Sequence, residues 1–132
     1  MTPHEFAERF NRLRSSEDRY RYLIQLGRKL DAYPEEFRDE EHLVRGCMSQ
    51  VWLVTVEGSE SSEMAFRGDS DAHIVKGLIA ALFIIYSGKT PEEIISTDLE
   101  GLFERLDLGQ HLSVNRRNGF YSMTLKIREH AA

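Results

Sequence analysis

Cysteine is almost absent from this sequence: Cys47 is the only one in 132 residues. One cysteine cannot close an intrachain disulfide, build a Cys-rich zinc site or ligate an iron–sulfur cluster by itself. A thiol without a partner fits a reducing compartment, so a cytoplasmic location is expected. Long apolar runs are missing as well. The longest, Leu78 to Tyr86, has nine residues, whereas a bilayer span needs about 20. The polar start, Met1-Thr2-Pro3-His4-Glu5, opens directly into a helical pattern and carries no signal-peptide character. Positive charge is not in excess: 17 basic residues against 22 acidic ones leave a net charge of −5. Nucleic acid is therefore a poor candidate partner, because phosphate neutralisation dominates that affinity. An acidic surface docking onto a basic protein remains open. Repeats, low-complexity stretches and linkers are absent too.

What is present is ordinary globular material, with 41% hydrophobic and 30% charged residues. The length suits one domain spanning residues 1–132. Thr2-Pro3-His4-Glu5 reads as a helix start, with Thr2 as cap and Pro3 at the first helical position. Phe6, Phe10 and Leu13 recur on one face. Ser16 is the expected cap of a second helix, whose stripe of Tyr20, Leu23, Ile24 and Gly27 extends to Leu30. Tyr33-Pro34 redirects the chain, and the acidic stretch from Glu35 to Glu41 is expected to be a solvated loop or short helix.

Val51 to Val56 is rich in β-branched residues and predicts a strand. A polar turn over residues 57–62 returns the chain as an antiparallel partner from Glu63 to Arg67. Gly68-Asp69-Ser70-Asp71 then closes the hairpin and supplies a helix cap. The segment from Ala72 to Tyr86 is apolar on nearly every side and predicts a buried central helix. Gly88 ends it, and Thr90-Pro91-Glu92-Glu93 repeats the cap signature. Leu99, Leu102, Phe103 and Leu106 suggest a short amphipathic helix. A last helix starts near Ser113. The expected class is α+β, a small antiparallel sheet packed with several helices.

Arg45-Gly46-Cys47-Met48-Ser49-Gln50 lies between the acidic stretch and the first strand, as a loop feeding a sheet edge. Reactive groups are commonly placed on such loops. Gly46 permits a turn that presents the next side chain, and Arg45 can raise the thiolate fraction of Cys47. The competing reading is that a lone cysteine is a small, inert, buried hydrophobe. His42, His73 and His111 are possible bases for a Cys–His dyad, but none has a diagnostic relation to Cys47. No histidine pair has metal-ligand spacing, and no nucleophile elbow surrounds a serine. Arg116 and Arg117 sit near a helix start, against the helix dipole, a cost unless an anion or a partner pairs with them.

Three segments together resemble the SufE/CsdE sulfur-acceptor family. They are Arg45-Gly46-Cys47-Met48-Ser49-Gln50-Val51-Trp52, the run from Gly68-Asp69-Ser70-Asp71 to Leu78, and the run from Gln110-His111-Leu112 to Gly119. The resemblance covers nearly the whole chain in order. It implies an α+β fold shared with IscU-type scaffolds. It also implies a non-enzymatic carrier that binds a PLP-dependent cysteine desulfurase (SufS- or CsdA-like), takes persulfide sulfur from it and stimulates its turnover. The sulfur then passes toward iron–sulfur assembly on a scaffold such as SufBCD. The acceptor cysteine falls on Cys47, and desulfurase contacts fall on Arg116 and Asp71, with Arg45 and Gly46 flanking the thiol. No cofactor or metal is expected on this chain, since PLP belongs to the partner. Val114 stands where the family often has proline.

Overall fold

The computed structural model describes residues 2–45, 49–57, 64–86, 89–97, 101 and 114–131. Thr2 caps α1 (Pro3–Arg12) as expected, its hydroxyl oxygen accepting the Glu5 N–H at 3.1 Å. The cap of α2 (Ser16–Gly27) is Ser15, one residue earlier than expected. Its Oγ accepts the Asp18 N–H at 3.1 Å. The shift places Glu17 and Asp18 in the first turn, where their charge meets the free N–H groups. Beyond Gly27 the helix ends, although Leu30 still packs against the core. A single 3₁₀ turn, Glu35–Phe37, follows Pro34.

Strands β1 (Val51–Glu57) and β2 (Met64–Ser70) pair antiparallel, with Val51 opposite Ser70 and Leu53 opposite Gly68. Gly68, Asp69 and Ser70 thus belong to the strand and do not close the hairpin. The physical reason is packing. A Cβ on Gly68 would stand 2.8 Å from Ile79 Cγ2 and 3.0 Å from Phe83 Cζ, so the glycine lets the central helix lie close on the sheet. That helix, α3 (His73–Tyr86), buries Leu78, Ile79, Ala81, Leu82 and Tyr86 almost completely. It crosses α2 at Gly27 and Gly77, where a Cβ on Gly27 would meet the Gly77 nitrogen at 2.7 Å.

Helix α4 (Pro91–Ile95) carries the expected capping box, Thr90 and Glu93 each bonding the other's backbone N–H. Helix α5 (Val114–Ala131) closes the core with Phe120, Met123 and Ile127. Side chains from α1, α2, both strands and α3 to α5 form one hydrophobic cluster. Residues 58–62 of the expected polar turn, Gly88 and, apart from Gly101, the helix expected over Leu99–Leu106 lie outside the described residues; Glu57 belongs to β1.

Candidate functional site

Residues 42–44 and 51–53, on either side of Cys47 in sequence, are tied together. The Val44 N–H donates to the Val51 carbonyl at 2.7 Å, and the Leu53 N–H donates to the His42 carbonyl at 2.9 Å. With the Leu43–Trp52 bridge, these bonds lay residues 42–44 antiparallel along the open side of β1 as a stem. Val44 and Val51 are buried, so the stem is fixed by the core as well as by hydrogen bonds.

Asp71 ties down the returning side. Its carboxylate accepts the Gln50 N–H at 3.1 Å, while its own N–H donates to the Gln50 carbonyl at 3.3 Å. Asp71 is exposed at the β2–α3 junction, so the residue expected at a partner surface also anchors the loop.

Arg38 provides a second brace. Its guanidinium makes two bonds to Glu35, at 2.9 and 3.0 Å, and one to Asp69 Oδ2 at 2.8 Å. The same group lies 4.7 Å from the Trp52 ring centre and 5.2 Å from that of Tyr33. Bonds to Glu35 and then Asp69 hold its pKa above the ordinary arginine value. Burial pushes the Asp69 carboxyl up, but the Arg38 and Ser70 hydrogen bonds and the Lys76 charge outweigh it, leaving a net lowering. Burial, then the Asp39 charge, pushes Tyr33 up to about 12. Its hydroxyl donates to the Phe37 carbonyl at 2.8 Å.

Arg45 is exposed and lines a groove of about 500 Å³ between residues 40–45 and α5. His42 Nδ1 contacts Asp39 Oδ1 at 2.7 Å, which leaves its ring tied to the acidic stretch. His130 Nδ1 meets Thr55 Oγ1 at 2.8 Å, and burial, then Lys126, lowers its pKa. His73 is exposed.

Among the expected site residues, Arg45 and Asp71 flank the two ends of the loop. Gly46 and Cys47 lie outside the described residues. Arg116 falls in the first turn of α5, and its side chain also lies outside them. Arg38, Asp69 and Gln50 were not singled out from sequence. The one available signal for Arg38 was an isolated arginine inside an acidic run. Among the described residues, no group of three His, Cys, Asp or Glu side chains is placed to hold a metal. No described helix is long and apolar enough to cross a membrane.

Fold and stem define a small α+β protein in which residues 42–44 and 51–53, on either side of Cys47 in sequence, are tied together. The chain belongs to the SufE family, whose model, described as an Fe-S metabolism associated domain, matches residues 4–131. It is 50% identical over 117 residues to an uncharacterized SufE-like protein of Rhizobium etli, covering 87% of this chain and 79% of that one. A SufE-like protein of Rhizobium meliloti is 46% identical over 117 residues, covering 87% and 84%. The solution structure of a hypothetical protein from Thermus thermophilus superposes with a TM-score of 0.78 at 18% identity, over 99% of this chain and 96% of that one. At that identity the likeness speaks for the fold alone.

Proposed function

We propose that this protein accepts sulfur from a PLP-dependent cysteine desulfurase onto Cys47, stimulates that enzyme's turnover, and passes the sulfur on toward iron–sulfur assembly. The observation that carries the reading is the stem. The residues that flank Cys47 are joined by the Val44–Val51 bond and anchored by the Gln50–Asp71 pair, in a chain of the SufE family.

The chemistry is thiol exchange. The Cys47 thiolate attacks the terminal sulfur of a persulfide on the desulfurase. A new S–S bond forms at Cys47 Sγ, the donor's S–S bond breaks, and the donor cysteine leaves as a thiolate. The transferred sulfur keeps its oxidation state, so no oxidant or reductant is consumed. Rate follows the thiolate fraction, the leaving-group pKa and access. PLP chemistry stays on the partner, and this chain needs no cofactor of its own. Arg116 and Arg45 are proposed partner contacts, and a reducing cytoplasm is the proposed location.

Incubation with a cysteine desulfurase and cysteine is expected to add about 32 Da, one sulfur atom, to Cys47. Cys47→Ser is expected to lose both the adduct and the stimulation. Full stimulation by the serine variant would instead mark a regulatory module that carries no sulfur, and would end the acceptor reading.

A further inference from the structure

The ridge beside the loop has a charge that the stem does not explain. Residues 35–41 hold five carboxylates and one arginine, a net of −4 against −5 for the whole chain. The arginine is turned inward, occupied by Glu35 and Asp69. Glu40 and Glu41 are exposed, and their side chains form no hydrogen bond or ion pair among the described residues. They line the groove beside Arg45, with Leu43, Val44 and Leu125 as its apolar lining; Ser122, Lys126 and Glu129 line it from α5, where Lys126 lies 4.0 Å from Glu129 and offsets its charge. Leu125 is 46% exposed, and Tyr121, one turn earlier on α5, is 44% exposed. The groove therefore offers one acidic edge at Glu40 and Glu41, an apolar anchor point at Leu125, and Arg45, two residues before Cys47 in sequence.

We infer that this groove seats a basic, apolar-tipped segment of the cysteine desulfurase that loads Cys47. The inference rests on the acceptor reading and specifies which face orients the partner. A second copy of this chain fits poorly, because its own net charge of −5 opposes an acidic edge. An anionic membrane surface is excluded by the same sign. A basic segment gains twice: its charge is steered by Glu40 and Glu41, and its apolar side chain covers Leu125.

The test titrates desulfurase stimulation with wild-type protein, Glu40→Lys/Glu41→Lys and Leu125→Asn. Salt is set at about 50 mM and about 500 mM, between which the screening length falls from roughly 14 Å to 4 Å. Far-UV circular dichroism and urea midpoints confirm that each variant is folded. The charge reversal is expected to raise the half-saturating concentration by about tenfold or more at low salt, with most of the difference gone at high salt. Leu125→Asn is expected to raise it by about tenfold at both salts, since the loss of an apolar anchor without a change of charge is not screened. Saturating desulfurase is expected to restore the 32 Da adduct on Cys47 in both variants, about one sulfur atom. If both variants titrate like the wild type while Cys47→Ser abolishes stimulation, the groove is not the seat and the acceptor reading stands. Tighter binding of the charge-reversed variant would overturn the basic partner. Full stimulation by Cys47→Ser would bring down the acceptor reading and this inference with it.

Discussion

Arg38→Gln should loosen the base of the Cys47 loop, and its cost can be worked from the geometry. The bond to Asp69 at 2.8 Å joins side chains that are 27% and 22% exposed, so it lies between a surface pair and a buried one. Partial exposure discounts a charge-assisted bond of this kind to about 1 kcal/mol. Cation–π contact with Trp52 at 4.7 Å adds about 0.5–1 kcal/mol. The Glu35 arm faces solvent and contributes little. Asp69 keeps Lys76 at 3.6 Å and the Ser70 N–H at 2.8 Å, so the variant does not orphan a buried carboxylate. The expected loss is therefore about 2 kcal/mol, not the roughly 3–5 kcal/mol of a broken buried pair. For a chain of this size that lowers Tm by roughly 6–10 °C.

Urea unfolding measures this directly. Trp52 is the only tryptophan and lies against the guanidinium itself, so its fluorescence reports the brace while circular dichroism reports the whole fold. The pH dependence has a defined sign. The Asp69 pKa is lowered below its ordinary 3.8 by the folded state, so its stabilisation is present above that value and is lost as pH falls through the folded value. The gap between wild type and variant should be full at neutral pH and shrink under strong acid. A variant within about 0.5 kcal/mol of wild type at neutral pH, the ordinary range for surface changes, would refute the brace. Arg38→Lys, which keeps the charge but not the planar fork, should fall between the two.

Two further outcomes follow from the same packing. Gly77→Ala places a methyl against the Leu23 carbonyl and 2.8 Å from Leu23 Cβ. Overpacking against backbone is expected to outweigh the helix-propensity gain of about 1 kcal/mol, for a net loss of about 2 kcal/mol or more; an unchanged urea midpoint would refute the close α2–α3 crossing. His130 has a lowered pKa in the folded state, by burial first and then by Lys126. The unfolded chain therefore takes up its proton first as pH falls below 6.5, and stability declines from there through the folded value. His130→Gln should flatten that part of the urea-midpoint profile between neutral and mildly acidic pH, and a profile of unchanged slope would remove His130 as its source.

Features set by three or four neighbouring residues were legible in the sequence. The Thr2 cap and the Thr90–Glu93 box depend on bonds between residues three apart, and both formed as expected. The β1 strand was legible from its β-branched run. Gly68-Asp69-Ser70 was misread because those residues favour turns locally, while the demand that overrides this comes from α3 lying across the sheet. Arg38 was invisible for a related reason. Its partners Asp69 and Trp52 come from the hairpin, and Asp69 is 31 positions away; nothing in an acidic run announces that its one arginine points inward. The Gln50–Asp71 tie spans 21 positions and was equally out of reach. Family resemblance marks Asp71 only for a partner surface; its bond to Gln50 comes from the fold alone.

The brace and the ridge make opposing demands on the same arginine. Removing its charge shifts the net of residues 35–41 from −4 to −5 and frees Glu35 and Asp69 from their bonds to Arg38. For a basic partner that change strengthens steering at low ionic strength, whereas loosening the stem through Trp52 weakens presentation of Cys47 at any ionic strength. Salt separates the two, because long-range attraction is screened and local packing is not. At low salt Arg38→Gln should therefore lose less stimulation than its lost stability suggests, and at high salt the full deficit should emerge. The ordering runs opposite to that expected for Glu40→Lys/Glu41→Lys, whose defect fades as salt rises. One titration series, read at two salts, thus distinguishes a residue that shapes the loop from residues that attract the partner. A deficit in Arg38→Gln that faded with salt would place Arg38 among the docking charges and take it out of the stem.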